Sequence, residues 1–266
     1  MVQSRLRRQE PDLANNAPKR ANRGWNMRFA VVSDVHGNLT ALEAVIADIK
    51  QQSPDAVYHL GDLVANGARP AEVLDRIRAA EWQGVYGNTD EMLWRPVAEQ
   101  LAKPFPERQL LRRVLISEIG PVIRELIGED RLSYLQALPL TMRFGSVFLC
   151  HASPNDPWLA PRESDGDDRF AGTFGSVGAK TVIYGHIHFP LVRRLKDLMV
   201  INTGAVSLSY DGDWRASYLL FDSGRPLLRR IEYDLDREER ALLESPLPHR
   251  EWLAKILRTA KYCDPF

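Results

Sequence analysis

Short apolar runs that read as strands alternate with stretches of helical spacing from residue 28 onward. The run 29–32 stops at Asp34, and two similar runs further along stop at Asp62 and Asn88. Each is followed by a stretch in which apolar residues recur at helical intervals. Three units of strand, polar residue and helix in a row predict an α/β fold with parallel strands, whose carboxyl ends carry these polar residues together.

The first predicted helix follows Asp34 directly. Its apolar residues define one buried face, formed by Leu39, Leu42, Val45, Ile46 and Ile49. Thr40 and Glu43 have the spacing of a capping box, which predicts the start of this helix.

The second half of the chain repeats the pattern of strands that end at polar residues. A predicted hairpin over residues 140–150 ends at His151, and His186 and His188 follow a later predicted strand. The intervening residues 153–176 are polar and are expected to be a loop. Further strands and helices are predicted at 181–184, 198–201, 217–221, 228–233, 236–244 and 250–260.

Length and periodicity favour one domain. A chain of 266 residues with 44% hydrophobic content can bury one substantial core. Residues 1–26 are polar and without periodicity, which predicts a disordered arm before a single domain over residues 27–266. Within it, residues of about 91–137 are expected to form a helical cap, and residues of about 236–260 the C-terminal helices.

Charge and composition limit the classes of binding partner that are expected for this chain. Lys plus Arg and Asp plus Glu each number 35, so no overall basic field would collect nucleic acid or anionic lipid. No apolar run reaches the roughly 20 residues of a membrane helix, and the first 26 residues lack a secretory signal. The two cysteines make no disulfide framework. We expect a cytoplasmic protein that binds neither membranes nor, stably, nucleic acid.

Side chains that commonly bind metals follow the predicted strands. Because the carboxyl ends of neighbouring strands converge on one crevice, residues distant in sequence can bind one ligand there. A mixture of carboxylate, amide and imidazole groups suits divalent ions such as Mn²⁺, Fe²⁺ or Zn²⁺. The candidate ligands are Asp34, His36, Asp62, Asn88, His151, His186 and His188.

Taken singly, these residues have structural alternatives. Asp34 or Asp62 could cap the following helix, and Asn88 could belong to a turn. Histidines also have many structural uses. The metal site is favoured because all the candidates occur together after strands. His59, within a strand, is interpreted as structural, and His249 as a surface residue.

Five short motifs, in this order, resemble the calcineurin-like metallophosphoesterase superfamily over about residues 28–206. They are Asp34-Val35-His36, Gly61-Asp62, Gly87-Asn88-Thr89-Asp90, Cys150-His151 and Gly185-His186-Ile187-His188. Each is weak alone, but five in order after predicted strands are specific. Within the superfamily, the chain looks most like compact bacterial and archaeal phosphodiesterases and diadenosine tetraphosphatase-like proteins, on residues 66–70, 151–154 and 202–206.

The resemblance implies a sandwich of two mixed β-sheets flanked by helices, with two divalent metal ions. Mn²⁺ is the first candidate, and Fe, Ni²⁺, Co²⁺ or Zn²⁺ are alternatives. One ion would be held by Asp34, His36 and His188, and the other by Asn88, His151 and His186. Asp62 would bridge them, and Asp62 and Asn88 would be the catalytic residues.

The implied activity is hydrolysis of a phosphodiester, phosphoanhydride or activated phosphomonoester by metal-bridged hydroxide. The substrate would be a small phosphorylated molecule such as a nucleotide. Many members have a histidine where this chain has Thr89. Because a threonine hydroxyl is a far weaker acid, substrates with good leaving groups are expected.

Several alternatives stay open. The chain could be a noncatalytic metal-binding scaffold or a protein phosphatase, and its oligomeric state is open, with a dimer as one alternative. Trp158 and Arg162 could form a lid that stacks a base and neutralises a phosphate, or could lie in a solvated loop. Asn66 and Arg69 could reach the substrate.

Overall fold

The computed structural model describes residues 27–102 and 109–265. Within these ranges ten strands form two five-stranded sheets. The strands are β1 (Arg28–Val32), β2 (Ala56–His59), β3 (Gln83–Gly84), β4 (Thr141–Phe144), β5 (Val147–Cys150), β6 (Thr181–Tyr184), β7 (Leu191–Arg194), β8 (Met199–Asn202), β9 (Ala216–Asp222) and β10 (Arg225–Ile231). The α-helices are α1 (Leu39–Gln52), α2 (Pro70–Ala79), α3 (Asn88–Glu91), α4 (Val97–Ala102), α5 (Gln109–Val114), α6 (Gly120–Ala137), α7 (Asp167–Phe174), α8 (Leu235–Glu244) and α9 (Arg250–Thr259).

The first sheet has the strand order β10-β9-β1-β2-β3. β1, β2 and β3 are parallel, with Phe29 opposite Ala56, as the three sequence units predict. β9 pairs antiparallel with the other side of β1, and β10 pairs antiparallel with β9. The carboxyl ends of β1 and β2 therefore lie side by side, next to the start of α3.

The second sheet has the strand order β4-β5-β6-β8-β7. β4 and β5 form the predicted antiparallel hairpin, with Thr141 opposite Cys150. β5, β6 and β8 are parallel, and β7 is antiparallel to β8. Both sheets are thus mixed, and the predicted sandwich of two mixed sheets flanked by helices is confirmed.

Alternating side chains divide the buried residues into layers. Phe29 and Val31 of β1 face the interior between the sheets, where they meet Leu149 and Ile183. Their neighbours along β1 point to the other face, into a larger core covered by helices. Since the side-chain period of a strand is two, this alternation fixes the position of each strand and so places its carboxyl end.

Helix α1 begins at a different cap from the predicted one. Asn38 is its N-cap, and its Oδ1 accepts a hydrogen bond from the backbone N–H of Ala41 at 2.8 Å. The hydroxyl of Thr40 instead donates to Glu238 at 2.6 Å. The capping-box prediction was wrong because a long-range partner binds the threonine, while asparagine is equally suited to the N-cap.

In the described part of the region of about 91–137, which was predicted to be helical, the structure has α4, α5, α6 and a π-helical segment, Leu115–Ile119. The polar stretch 153–176 differs from the predicted loop because α7 lies in it and buries Phe170 and Phe174 against the outer face of the second sheet. The predicted arm, residues 1–26, lies outside the described residues. In the described ranges, no helix is both long and apolar enough to cross a membrane.

His59 is a fully buried histidine in β2. Among the described residues neither of its ring nitrogens has a hydrogen-bond partner. The ring lies against Gly84, where a Cβ atom would be 2.4 Å from Nδ1. Burial lowers the pKa of His59 to about 4. This buried histidine is therefore expected to make the stability of the fold depend on pH.

Replacing His59 with leucine is expected to remove an acid-sensitive part of the stability. An unfolded histidine has a pKa of about 6.5, so protonation of His59 does not change the free energy of unfolding well above that pH. It destabilises the fold progressively as the pH falls from 6.5 towards 4, by up to about 3 kcal/mol. Urea unfolding of chelated protein at pH 7.5 and pH 5.0 measures this effect. His59→Leu should lose less stability than the wild type between these two pH values. Equal losses in the two proteins would contradict the prediction.

Candidate metal centre

The seven candidate ligands lie in loops at the carboxyl ends of strands from both sheets. Asp34 and His36 follow β1, Asp62 follows β2, and His151 comes directly after β5. The remaining candidates, Asn88, His186 and His188, open α3 or follow β6. Backbone hydrogen bonds join these loops. The N–H of His36 donates to the carbonyl of Asp62 at 2.9 Å.

Asp34, His36 and His188 form a first cluster, in which all three side chains are buried. The Nε2 atoms of the two histidines are 3.2 Å apart. Oδ1 of Asp34 lies 3.2 Å from Nε2 of His188 and 3.9 Å from Nε2 of His36. Three potential metal ligands thus point at one small volume.

Backbone carbonyls determine which ring nitrogens of the histidines face the site. The Nδ1 atoms of His36, His151 and His188 lie 2.9, 2.7 and 2.7 Å from the carbonyl oxygens of Ala65, Leu60 and Leu208. Because a carbonyl only accepts hydrogen bonds, each Nδ1 carries the hydrogen and each neutral ring directs a lone pair from Nε2 into the site. This is the usual arrangement of histidines that bind metals.

In the first cluster, the Nε2 atoms of His36 and His188 face each other at 3.2 Å. The buried Oδ1 of Asp34 has no hydrogen-bond partner among the described residues. Burial lowers the pKa of His36 to about 3, with a further contribution from His188. For His188, burial also acts to lower the pKa, but Asp34, the carbonyl of Leu208 and Asp62 together outweigh it and raise the pKa. The residues present fit a divalent cation.

Asn88, His151 and His186 form a second cluster. Oδ1 of Asn88 lies 2.9 Å from Nε2 of His151 and 2.8 Å from Nδ1 of His186. These two ring nitrogens are themselves 3.3 Å apart. As in the first cluster, oxygen and nitrogen acceptors converge.

Asp62 lies between the two clusters. Its Oδ2 is 3.7 Å from Nε2 of His36, and its Oδ1 is 3.5 Å from Nε2 of His151. Burial raises the pKa of Asp62, because a buried carboxylate loses the water that stabilises its charge. Asp34 also reaches both sides, because ligand atoms of Asp34, Asp62 and His151 lie within 4.8 Å of one another. The resemblance had assigned Asp34 to the first cluster alone.

Five of the seven candidate ligands have left-handed backbone conformations. The φ angles are 55° for Asp34, 49° for His36, 52° for Asp62, 69° for His186 and 56° for His188. Residues other than glycine adopt this conformation at a cost of roughly 1–2 kcal/mol each. Such conformations concentrate at functional sites, where the surrounding structure imposes them.

The loop after β2 approaches the start of α3 very closely at Gly61. Gly61 has a φ of +88°, and a Cβ atom there would lie 2.1 Å from the backbone nitrogen of Gly87. Only glycine permits this approach, which brings Asp62 beside Asn88.

Asp90 supports the site without being one of the candidate ligands. Its buried carboxylate accepts backbone hydrogen bonds from Asp62 at 2.8 Å, Leu63 at 2.9 Å and Gly87 at 3.0 Å. Burial, followed by the charge of Asp62, raises the pKa of Asp90 to about 7. Sequence reasoning quoted this residue but gave it no role. The spacing of Gly87 and Asp90, an N-cap and its third residue, is the signal that could have found it.

Two of the other candidates for substrate binding, Trp158 and Arg69, are held by protein contacts. The indole N–H of Trp158 donates to Glu91 at 2.9 Å, and the Arg112 guanidinium lies 4.8 Å from the centre of its ring. Arg69 donates to the buried carboxylate of Glu238 at 2.6 Å. Asn66 is buried next to the loop that binds His36, and Arg162 is exposed. The guanidinium of Arg112 therefore covers one face of the Trp158 ring.

Comparison with known proteins identifies relatives over most of the chain. The model of the calcineurin-like phosphoesterase superfamily domain matches residues 27–225. An uncharacterized protein of Methanocaldococcus jannaschii is 28% identical over 252 residues, which cover 86% of this chain and 96% of that protein. Phosphodiesterase YfcE of Escherichia coli K12 is 24% identical over 207 residues, 74% of this chain and 88% of that protein.

Solved structures show the same fold. The crystal structure of a metallophosphoesterase from Sphaerobacter thermophilus has a TM-score of 0.73 and 28% identity, and the match covers 88% of this chain and 99% of that one. A hypothetical protein from Pyrococcus horikoshii has a TM-score of 0.74 at 19% identity, covering 89% and 99%. Since the family model spans well over half of the chain, and the fold agrees, this protein belongs to the calcineurin-like phosphoesterase superfamily.

Proposed function

We propose that this protein hydrolyses a phosphodiester, phosphoanhydride or activated phosphomonoester of a small substrate, with two divalent metal ions in its site. The observation that carries the proposal is the position of Asp62, whose two carboxylate oxygens face the first and second clusters separately. A shared carboxylate between two sets of ligands is the arrangement that two-metal hydrolases use.

The first cluster would hold one ion and the second cluster the other, with Asp62 shared. When bound, the ions would supply an acidified water as nucleophile and neutralise charge on the phosphoryl oxygens. Carbonyls of Ala65, Leu60 and Leu208 keep the histidine rings in the tautomer that this binding requires.

The chain's own groups would act on the substrate near Asn88. Because its Oδ1 faces the histidines, the amide NH₂ is the part that can donate to a phosphate oxygen. The next residue, Thr89, is buried, and its backbone N–H donates to Asp62 at 2.8 Å. A threonine in this position cannot serve as a general acid at neutral pH, so leaving groups that depart without a proton are favoured.

Oxygen and imidazole ligands suit Mn²⁺, Fe, Ni²⁺, Co²⁺ or Zn²⁺, and Mn²⁺, which the resemblance favours, is the first ion to test. Chelated protein resupplied with Mn²⁺ is therefore expected to recover hydrolysis of bis-p-nitrophenyl phosphate, whose leaving group is a good one. The rates with this diester and with p-nitrophenyl phosphate, measured with Mn²⁺, Ni²⁺, Zn²⁺ and Mg²⁺ in turn, separate diesterase from monoesterase activity.

Two controls make this experiment decisive. Asp62→Asn purified in the same way reports any contaminating phosphatase, because its own site lacks the shared carboxylate. Calorimetric titration shows whether each ion binds. Folded protein that binds ions yet hydrolyses neither ester, nor a panel of nucleotides and dinucleoside polyphosphates, would contradict the proposal and favour a noncatalytic role.

A further inference from the structure

The ring of His188 lies flat on the ring of Tyr210. The two ring centres are 4.5 Å apart and the planes differ by only 10°. The backbone N–H of Tyr210 also donates to the carbonyl of His188 at 3.1 Å. A candidate metal ligand is thus joined to a neighbouring aromatic residue by both its backbone and its side chain.

Tyr210 is supported in turn by Tyr262. Their ring centres are 5.6 Å apart, and the planes meet at 75° in an edge-to-face arrangement. Such contacts contribute roughly 0.5–1.5 kcal/mol beyond burial of the ring surface. Three rings in succession therefore connect the first cluster to the C-terminal residues 261–265, which we call the tail.

The tail has defined anchors of its own. The indole N–H of Trp252 in α9 donates to the carbonyl of Cys263 at 2.9 Å. Directly before the tail, the N–H of Gly212 donates to the carbonyl of Ala260 at 2.9 Å. The hydroxyl of Tyr262 donates to Asp264 at 2.7 Å. All of the tail lies beyond residues 27–225, the part that matches the family model.

The stacked ring of Tyr210 restricts a tilt of the His188 ring that the hydrogen bond at Nδ1 of His188 would allow. The bond from His188 to the carbonyl of Leu208 fixes one point of the ring, about which the ring can still tilt. A parallel ring on one face limits that tilt and keeps Nε2 directed at Asp34 and His36. A ligand that is already aligned loses less conformational freedom when a metal binds.

We propose that Tyr210, supported by Tyr262, is a positioning residue for His188, so that the C-terminal tail sets the affinity of the first cluster for its metal ion. This inference rests on the proposed function only in requiring that the first cluster binds a metal. It assigns to the tail a role in the metal centre, although the tail supplies no ligand.

The test compares Tyr210→Leu with Tyr210→Phe, and Tyr262→Leu with Tyr262→Phe, in the full chain. Chelated proteins are titrated with Mn²⁺ by calorimetry, and the absorption spectrum of bound Co²⁺ reports the ligand geometry. Partners of metal-binding histidines typically contribute 10–100-fold in affinity. Tyr210→Leu should therefore weaken Mn²⁺ binding to the first cluster by about 10-fold or more and alter the Co²⁺ spectrum. Binding of the other Mn²⁺ ion, to the second cluster, should be almost unchanged.

The conservative variants and a control give the proposal its specificity. Both phenylalanine variants should bind as the wild type does, and Tyr262→Leu should weaken the same event by a smaller factor. Tyr233→Leu removes another buried aromatic residue of the C-terminal region, one that packs on Trp214, and should change neither event. Equal weakening of both events in Tyr210→Leu, or no change in either, would overturn the proposal.

Failure of the proposed function gives a different result. The variants could show these differences in metal binding while the wild-type protein hydrolyses no phosphoester. That result would overturn the proposed function and support the positioning role. Wild-type protein that binds no divalent ion would overturn both.

Discussion

Asp62→Asn is expected to lose phosphodiesterase activity by a factor on the order of 10³ and to retain fewer metal ions. A shared carboxylate and the ions that it holds contribute several kcal/mol to transition-state stabilisation, and each 1.4 kcal/mol corresponds to a factor of ten. The side chains have the same shape, but the asparagine directs an NH₂ group towards one of the two clusters. That group cannot bind a cation.

The measurement pairs kcat/KM for bis-p-nitrophenyl phosphate with metal content after gel filtration. Asp197→Asn is the matched control, because it makes the same chemical change at an exposed position. Unfolding of both variants shows whether the fold is retained. A variant at Asp62 with unchanged turnover and full metal content would exclude the shared-carboxylate arrangement.

Gly61→Ala is expected to lower the free energy of unfolding by about 4 kcal/mol and to weaken metal binding at the same time. The left-handed backbone at φ +88° contributes roughly 1–2 kcal/mol of this loss. The rest comes from the collision of the new methyl group with the backbone of Gly87, at 2.1 Å, since overpacking typically destabilises by about 1–3 kcal/mol. The loops that carry Asp62 and Asn88 must then move apart.

Gly212→Ala separates these two contributions. Gly212 has nearly the same φ, +86°, but a Cβ atom there would meet nothing within 4 Å. Urea unfolding should show only the smaller loss from backbone conformation in this control. If the two alanine variants were equally stable, the close approach at Gly61 would have no energetic role.

The candidate site could be predicted from the sequence because its residues occupy a position that the fold repeats. Asp34, Asp62, His151 and His186 each follow an apolar strand, and strands of this kind are recognisable from their composition. Division of the ligands into two clusters needed the resemblance, since no local pattern indicates that His188 lies against His36.

Features that depend on distant partners could not be predicted. Thr40 does not cap α1, because its hydroxyl binds Glu238, which is nearly 200 residues away in the sequence. Asp90 acts on the backbone of Asp62, and Tyr210 on a ring that only the folded chain brings near. Helix α7 has Phe170 and Phe174 as its only fully buried residues, a signal too short to stand out in a polar stretch.

Neither β-sheet carries a complete set of ligands for either ion. The first cluster takes Asp34 and His36 from the loop after β1 but His188 from the loop after β6, while the second takes Asn88 from the first sheet's side and His151 and His186 from the second. Bound ions would therefore act as further cross-links between two layers that already share an apolar interior and hydrogen bonds between loops, such as that from His151 to the carbonyl of Leu60. Local unfolding of one layer would release the ions, and metal concentration would then set how cooperatively the layers separate.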